Sequence, residues 1–174
     1  MTPSLAGTPT LETERLVLRA PRAADWPRWR DFALSPRAHH ILDGDHRPET
    51  AWRAFGHAIG HWVLRGWGSF VFHRRDDPAP LGMAGPWFPE GWPEREIGWS
   101  VWAPEAEGRG YAREAAEATL RFARDRLHWP AAVSYIDPGN GRSEALARRL
   151  GAVLEAGAPA PGTARCWRHW GPAA

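Results

Sequence analysis

The chain has no lysine, and all 22 of its basic residues are arginine. That absence excludes Schiff-base catalysis, a lysine general base and the Gly-Lys-Ser/Thr loop of nucleotide hydrolases. Cysteine is nearly missing as well. With Cys166 alone, neither an internal disulfide nor a cysteine-built zinc cage can form, and no metal is expected. No run approaches the ~18 uninterrupted apolar residues of a membrane-spanning helix. Met1 to Thr10 lacks the basic-then-apolar pattern of a signal peptide. These absences lead to the expectation of a soluble cytoplasmic protein with no membrane partner. Charge of one sign is not in excess either: the formal net charge is +2, and the pI of about 9.3 reflects arginine's very high pKa. Arginine and tryptophan are scattered instead of clustered, so no nucleic-acid partner is expected.

What is present is a chain of 174 residues with 12 tryptophans, long enough to bury a core as one domain over residues 1–174. Residues 1–11, with Pro3, Gly7 and Pro9, read as a loose leader. Glu14 to Ala20 alternates as a strand. Asp25 is placed to cap a helix carrying Trp26, Trp29, Phe32 and Ala33. A second helix is expected from Glu49 to Arg65, with Trp52, Phe55, Ile59, Trp62 and Val63 inward and Gly66 as its cap. Strands follow at Trp67 to His73, Pro80 to Phe88 and Glu94 to Trp102. In the last of these, Ile97, Trp99 and Val101 face one way, and Glu96, Gly98, Ser100 and Trp102 the other. A helix from Arg113 to Leu127 shows Ala112, Ala116, Leu120, Ala123 and Leu127 on one face. A strand at Ala131 to Ile136, a short helix at Ser143 to Leu150 and a closing pair of strands complete the chain. The order β-α-α-β-β-β-α-β-α-β-β makes the fold α/β, or α+β in a stricter scheme, with a mixed sheet and helices on its faces.

Between the Glu94 to Trp102 strand and the long helix lies Glu107-Gly108-Arg109-Gly110-Tyr111-Ala112. Two glycines at this spacing let consecutive backbone N–H groups turn toward one point, at the positive end of the following helix. Such a turn can hold a phosphate group, or it can be a plain strand-to-helix connection. A dinucleotide fingerprint would need Gly or Ala where Arg113 stands.

The turn, Glu96-Ile97-Gly98-Trp99, and Asn140-Gly141-Arg142-Ser143 followed by Leu150-Gly151 together resemble the GNAT superfamily of N-acetyltransferases. The likeness is to the branch containing the ribosomal-protein N-terminal acetyltransferases, and it runs from Glu12 to about Trp170. The resemblance implies a mostly antiparallel sheet of about seven strands with helices on both faces. It implies acetyl transfer from acetyl-CoA to a primary amine of a small molecule or a protein N-terminus, by direct attack in a ternary complex. Glu107, Gly108, Arg109, Gly110, Tyr111 and Ala112 would hold the pyrophosphate. Trp99, Val101 and Trp102 would pair with the pantetheine arm as a further strand would, and Asn140 would contact the same arm.

One departure stands out. The family usually has Gln or Arg where this chain has Glu107, a carboxylate expected to turn outward from a bound pyrophosphate. Glu96 is the candidate base, with an edge-strand charge or a salt bridge as the plainer alternative. The family's frequent tyrosine acid is missing from the last helix region. Ser143 matches the serine of the ribosomal-protein branch, with an N-cap hydroxyl as the alternative. His39 and His40 lie in the loop where the family often receives its acceptor. Trp87 and Trp92 flank a turn near the acceptor side. A monomer or homodimer is expected. A non-catalytic CoA-binding or regulatory module of the same fold is the competing reading, and an amine-dependent thiol-release assay separates the two.

Overall fold

The computed structural model describes residues 4–42 and 44–172. Leu11–Glu12 (β1) pairs antiparallel with Leu16–Arg19 (β2), placing Leu11 opposite Leu18. The leader expected over residues 1–11 thus ends in a strand. Its apolar reason is plain, since Leu5 and Leu11 pack against the core formed by Leu16, Leu18 and Phe72.

Two helices follow, Trp26–Ala33 (α1) and Pro48–Arg65 (α2). Asp25 stands before α1 but does not cap it with its side chain. Its carboxylate is instead gripped by Arg19 at 2.7 and 2.8 Å and by the Arg22 N–H at 2.8 Å. Asp25 is only 1% exposed, and removing one partner of such a buried pair costs about 3–5 kcal/mol. Helix α2 also departs from its expected face. Phe55 and Trp62 are buried, but Trp52 and Val63 face solvent, and Ala51, Ala58 and His61 take the inward positions. His61 is tolerated there because both ring nitrogens are used: Nδ1 bonds the Trp67 carbonyl at 2.9 Å, and Nε2 accepts from the Phe88 N–H at 3.0 Å. Gly66, at φ 76°, ends the helix as expected.

Phe70–Arg74 (β3), Asp77–Trp87 (β4) and Glu96–Val101 (β5) form an antiparallel meander. Gly82 of β4 has no alternative, because a Cβ there would lie 2.2 Å from the Ser100 carbonyl oxygen. The helix Tyr111–Asp125 (α3) carries the chain over to Ala132–Ile136 (β6), which runs parallel to β5. Gly141–Arg149 (α4), Val153–Glu155 (β7) and Arg165–Trp170 (β8) complete the chain. The sheet has eight strands, one more than expected, in the order β1-β2-β3-β4-β5-β6-β8-β7. Every pairing is antiparallel except β5 with β6.

Helices cover both faces. Helices α1 and α2 press Trp29, Phe32 and Phe55 onto Val71 and Trp102. Helix α3 presses Tyr111, Ala115, Ala118 and Phe122 onto Leu16, Leu18, Phe70 and Phe72. Its buried face is centred on Ala115, Thr119 and Phe122, while Ala112, Leu120 and Leu127 are only half-buried. The small alanines still do the expected work of letting helix and sheet approach closely.

Candidate active site

The site begins where the sheet comes apart. The β5–β6 ladder has a single bridge, Glu96 with Val133, and the strands then diverge. The Trp102 N–H donates to Leu81 of the β4 side, so alternate residues of β5 turn their main-chain groups toward β4 and the others away from it. Ile97, Trp99 and Val101 therefore face the gap. Their partners there agree: the Ile97 carbonyl accepts from Ser134 Oγ at 2.6 Å, and the Val101 carbonyl from Arg37 Nη2 at 2.9 Å. Trp99 and the Val101 N–H are left presenting main-chain hydrogen-bonding groups to an unfilled strand position. Trp102 is a correction. It is 1% exposed, its N–H is spent on Leu81 and its carbonyl on Arg37 Nη1 at 2.7 Å, so it is a core residue.

At the open end of the gap lies the turn of residues 107–112. Gly108 and Gly110 adopt φ 71° and 80°, the left-handed region that glycine enters freely. A Cβ on Gly108 would meet nothing within 4 Å, whereas one on Gly110 would come to 3.4 Å from an Arg15 nitrogen. Arg15 braces the turn from behind. It donates to the Arg109 carbonyl at 3.1 Å, lies over the Tyr111 ring at 4.6 Å and is anchored to Glu114 at 2.7 Å. Tyr111 is buried and Ala112 half-buried, so what these two present to the turn is main chain. Helix α3 starts at Tyr111, and its first N–H groups have no acceptor within the helix. The turn is thus an open, braced, positively polarised cradle, and its residues fit a phosphate group.

Glu107 does not turn out into solvent. Its Oε1 accepts from Arg37 Nε at 2.8 Å and Nη2 at 2.5 Å, and its Oε2 accepts from Arg142 Nη1 at 2.6 Å. The Arg37 hydrogen bonds, followed by that of Arg142, hold its carboxyl below the usual range. Neither arginine was legible as a site residue, because they lie 70 and 35 positions from Glu107.

At the closed end, the Glu96 side chain is on the opposite face of β5 from Trp99. Glu96 is 9% exposed and, among the described residues, has no cationic partner. Burial raises its pKa to about 7, against the pull of the Trp92 indole, 2.7 Å from Oε2, and of the Tyr135 backbone N–H. This is neither an edge charge nor a salt bridge. It is a carboxyl that exchanges a proton near neutral pH. The Tyr135 hydroxyl, also buried, has no hydrogen-bond partner among the described residues. Nearby, Arg168 binds Glu94 and Glu155 at 2.7 and 2.5 Å, tying the start of β5 to β7 and β8.

Ser143 is not a helix cap, because Asn140 holds that position. Asn140 Oδ1 accepts from the Ser143 N–H at 3.2 Å, and its amide NH₂ has no partner among the described residues. Ser143 Oγ lies 3.3 Å from Trp99 Nε1. An indole nitrogen only donates, so the serine oxygen accepts and its own proton remains available. Behind it, Ser134 Oγ lies 2.9 Å from His169 Nε2. Burial lowers the His169 pKa to about 4, so this imidazole is neutral. His40 Nδ1 approaches Asp137 Oδ2 at 3.5 Å, bringing the α1–α2 connection against the β6–α4 loop. The structure thus gathers Glu96, Trp99, Val101, Asn140, Ser143 and the 107–112 turn around one gap.

Comparison with known proteins gives the same architecture. The family model for the acetyltransferase (GNAT) domain matches residues 15–153. An acetyltransferase structure from Agrobacterium tumefaciens is 35% identical, with 98% of this chain and 99% of that chain covered and a TM-score of 0.87. RimL, a ribosomal L7/L12 alpha-N-protein acetyltransferase in complex with coenzyme A, superposes at 0.70 with 17% identity over 92% of this chain and 95% of that one. The ribosomal-protein-S5-alanine acetyltransferase of Vibrio fischeri superposes at 0.62 with 16% identity, over 91% and 93%. These last two are similar in fold. With the family match spanning most of the chain and the split sheet meeting a glycine turn, the protein belongs to the GNAT acetyltransferase family and is an acetyl-CoA-dependent N-acetyltransferase.

Proposed function

We propose that the protein transfers an acetyl group from acetyl-CoA to a primary amine, of a small molecule or a protein N-terminus, by direct attack in a ternary complex. The observation that carries this reading is the divergence of β5 from β6 between a buried proton-exchanging carboxyl and a phosphate-sized cradle. Acetyl-CoA, when bound, supplies an acetyl thioester. Residues 108–112 offer main-chain N–H groups to its pyrophosphate. Trp99 and Val101 offer the unpaired edge of β5 to its pantetheine arm, as a strand accepts a partner. A main-chain N–H at Trp99 or Val101 stabilises the oxyanion that develops on attack. Glu96 takes the proton from the amine through water, and a carboxyl near pKa 7 is matched to that task at neutral pH. Ser143 donates its available hydrogen bond to the departing thiolate and relays a proton to it from solvent water, the serine ending as the hydroxyl it began as.

The test is a thermal-shift titration with acetyl-CoA, followed by thiol release over an amine panel. The expected result is a saturable rise in melting temperature and amine-dependent release. Gly110→Asp should abolish the shift, since it strains a left-handed backbone, crowds Arg15 and adds charge of the wrong sign. Binding without release over a broad panel would leave a non-catalytic CoA-binding module.

A further inference from the structure

A carboxylate at the mouth of an anion site weakens it unless the carboxylate does something else. Glu107 does: it gathers two guanidiniums from different parts of the chain, Arg37 from the α1–α2 connection and Arg142 from the first turn of α4. Arg37 is only 28% exposed and has four of its five N–H donors in use, because it also holds the Val101 and Trp102 carbonyls. Arg142 is its opposite. It is 87% exposed, and its one hydrogen bond within the described residues is to Glu107. A guanidinium carries five N–H donors, so Arg142 keeps most of its donors free while Glu107 holds it toward the turn. Two positive charges against one negative leave the group net cationic. Arg109, whose guanidinium has no carboxylate partner among the described residues, adds to it.

We infer that Arg142 is a ligand for the diphosphate of the cofactor and that Glu107 is the positioning residue that holds it, with Arg37, beside the 107–112 turn. This rests on the reading of that turn as the diphosphate site. The family position that usually supplies a donor directly supplies here the anchor for two donors. The advantage is preorganisation, because a solvent-exposed arginine otherwise loses rotamer freedom on binding. The expected sign is therefore the reverse of simple charge counting. Neutralising Glu107 should weaken binding, although it removes a negative charge from an anion site.

Calorimetric titration with CoA and with pantetheine, which lacks the diphosphate, tests this on the full chain. Arg142→Ala and Glu107→Gln should each raise the Kd for CoA about tenfold, the worth of one charge-assisted hydrogen bond. Their effect on pantetheine should be several times smaller, and the salt dependence of CoA binding should flatten in Arg142→Ala. Glu107→Asp, which keeps the charge, should recover part of the loss. If Glu107→Gln binds CoA as tightly as the parent, or tighter, the positioning role is overturned. Equal losses on CoA and pantetheine in Arg142→Ala would overturn the diphosphate role, since general damage to the fold acts on both. A parent protein that binds no CoA would instead overturn the functional reading on which this one rests.

Discussion

Glu96 and Glu107 stand at the two ends of one strand and turn, and the protein treats the same side chain in opposite ways. Around Glu96 there are one indole N–H, one backbone N–H and, among the described residues, no cation, so burial lifts its pKa to about 7. Around Glu107 there are two guanidiniums and partial exposure to solvent, so the carboxyl stays ionised well below neutral pH. One end of the gap handles a proton and the other fixes charge. The difference lies in what the fold packs beside each residue, and it can be broken from either side.

The largest effect is expected at the buried end. Glu96→Gln should lower kcat by about a hundredfold to ten-thousandfold, the usual range for a lost general base, while acetyl-CoA affinity changes little. The loss should be greatest above pH 7, where the parent base is ionised. The rising limb of the parent pH–rate profile, near pH 7, should vanish in the variant. A variant whose rate tracks the parent at every pH would make Glu96 structural.

The same substitution should stabilise the protein in alkali. The Glu96 pKa is raised in the folded state, so the unfolded chain loses this proton first, near pH 4.5. Between there and about pH 7 the native state holds more protons, and stability falls as pH rises. Above pH 7 the penalty amounts to a few kcal/mol, at about 1.4 kcal/mol per pKa unit. Chemical denaturation at pH 8 should show Glu96→Gln more stable than the parent, with the two converging toward pH 4. A less stable variant at pH 8 would show that the carboxyl finds a partner that the folded geometry does not suggest.

A subtler break removes the indole donor. Trp92→Phe keeps the ring packing but takes away the hydrogen bond to Oε2, which favours the ionised form. The rising limb should move to higher pH by about one unit, roughly the worth of a hydrogen bond to a charged group. An unmoved limb would assign it to a different group. The smallest effect sharpens the contrast: CoA affinity should stay nearly level from pH 6 to 9, because Glu107, its carboxyl held below the usual range by Arg37, keeps its charge throughout. A titration near pH 7 in the affinity itself would link the two ends in a way the geometry does not provide.

What was legible in the sequence was what lies close along the chain. The alternation of β5, the glycine pair before α3 and the Asn140 to Ser143 run were readable because each sets its own local conformation. The inward face of α2 was not. Trp52 and Val63 fit the helical period but face solvent, and His61 was accepted inside only because Trp67 and Phe88 meet its two nitrogens. Asp25 looked like a cap and instead serves Arg19, a contact that α1 alone does not announce. The role of Glu107 was hidden for the same reason. Its partners come from the α1–α2 connection and from α4; no local pattern marks Arg37, and the Asn140 to Ser143 run does not announce that its arginine reaches Glu107. The ionisation of Glu96 depends on a strand neighbour, an indole and the backbone of β6, brought together only by the sheet.

Arg37 has a practical consequence for anyone wishing to change the acceptor. It belongs to the connection between α1 and α2, the segment to exchange if the acceptor is received there as the family resemblance implies. Yet it grips the end of β5 and the first residue of the glycine turn. Grafting that loop from a relative without its arginine would loosen the thioester side together with the amine side. Residues 37, 107 and 142 are linked by hydrogen bonds, so a chimera has to carry them as one unit.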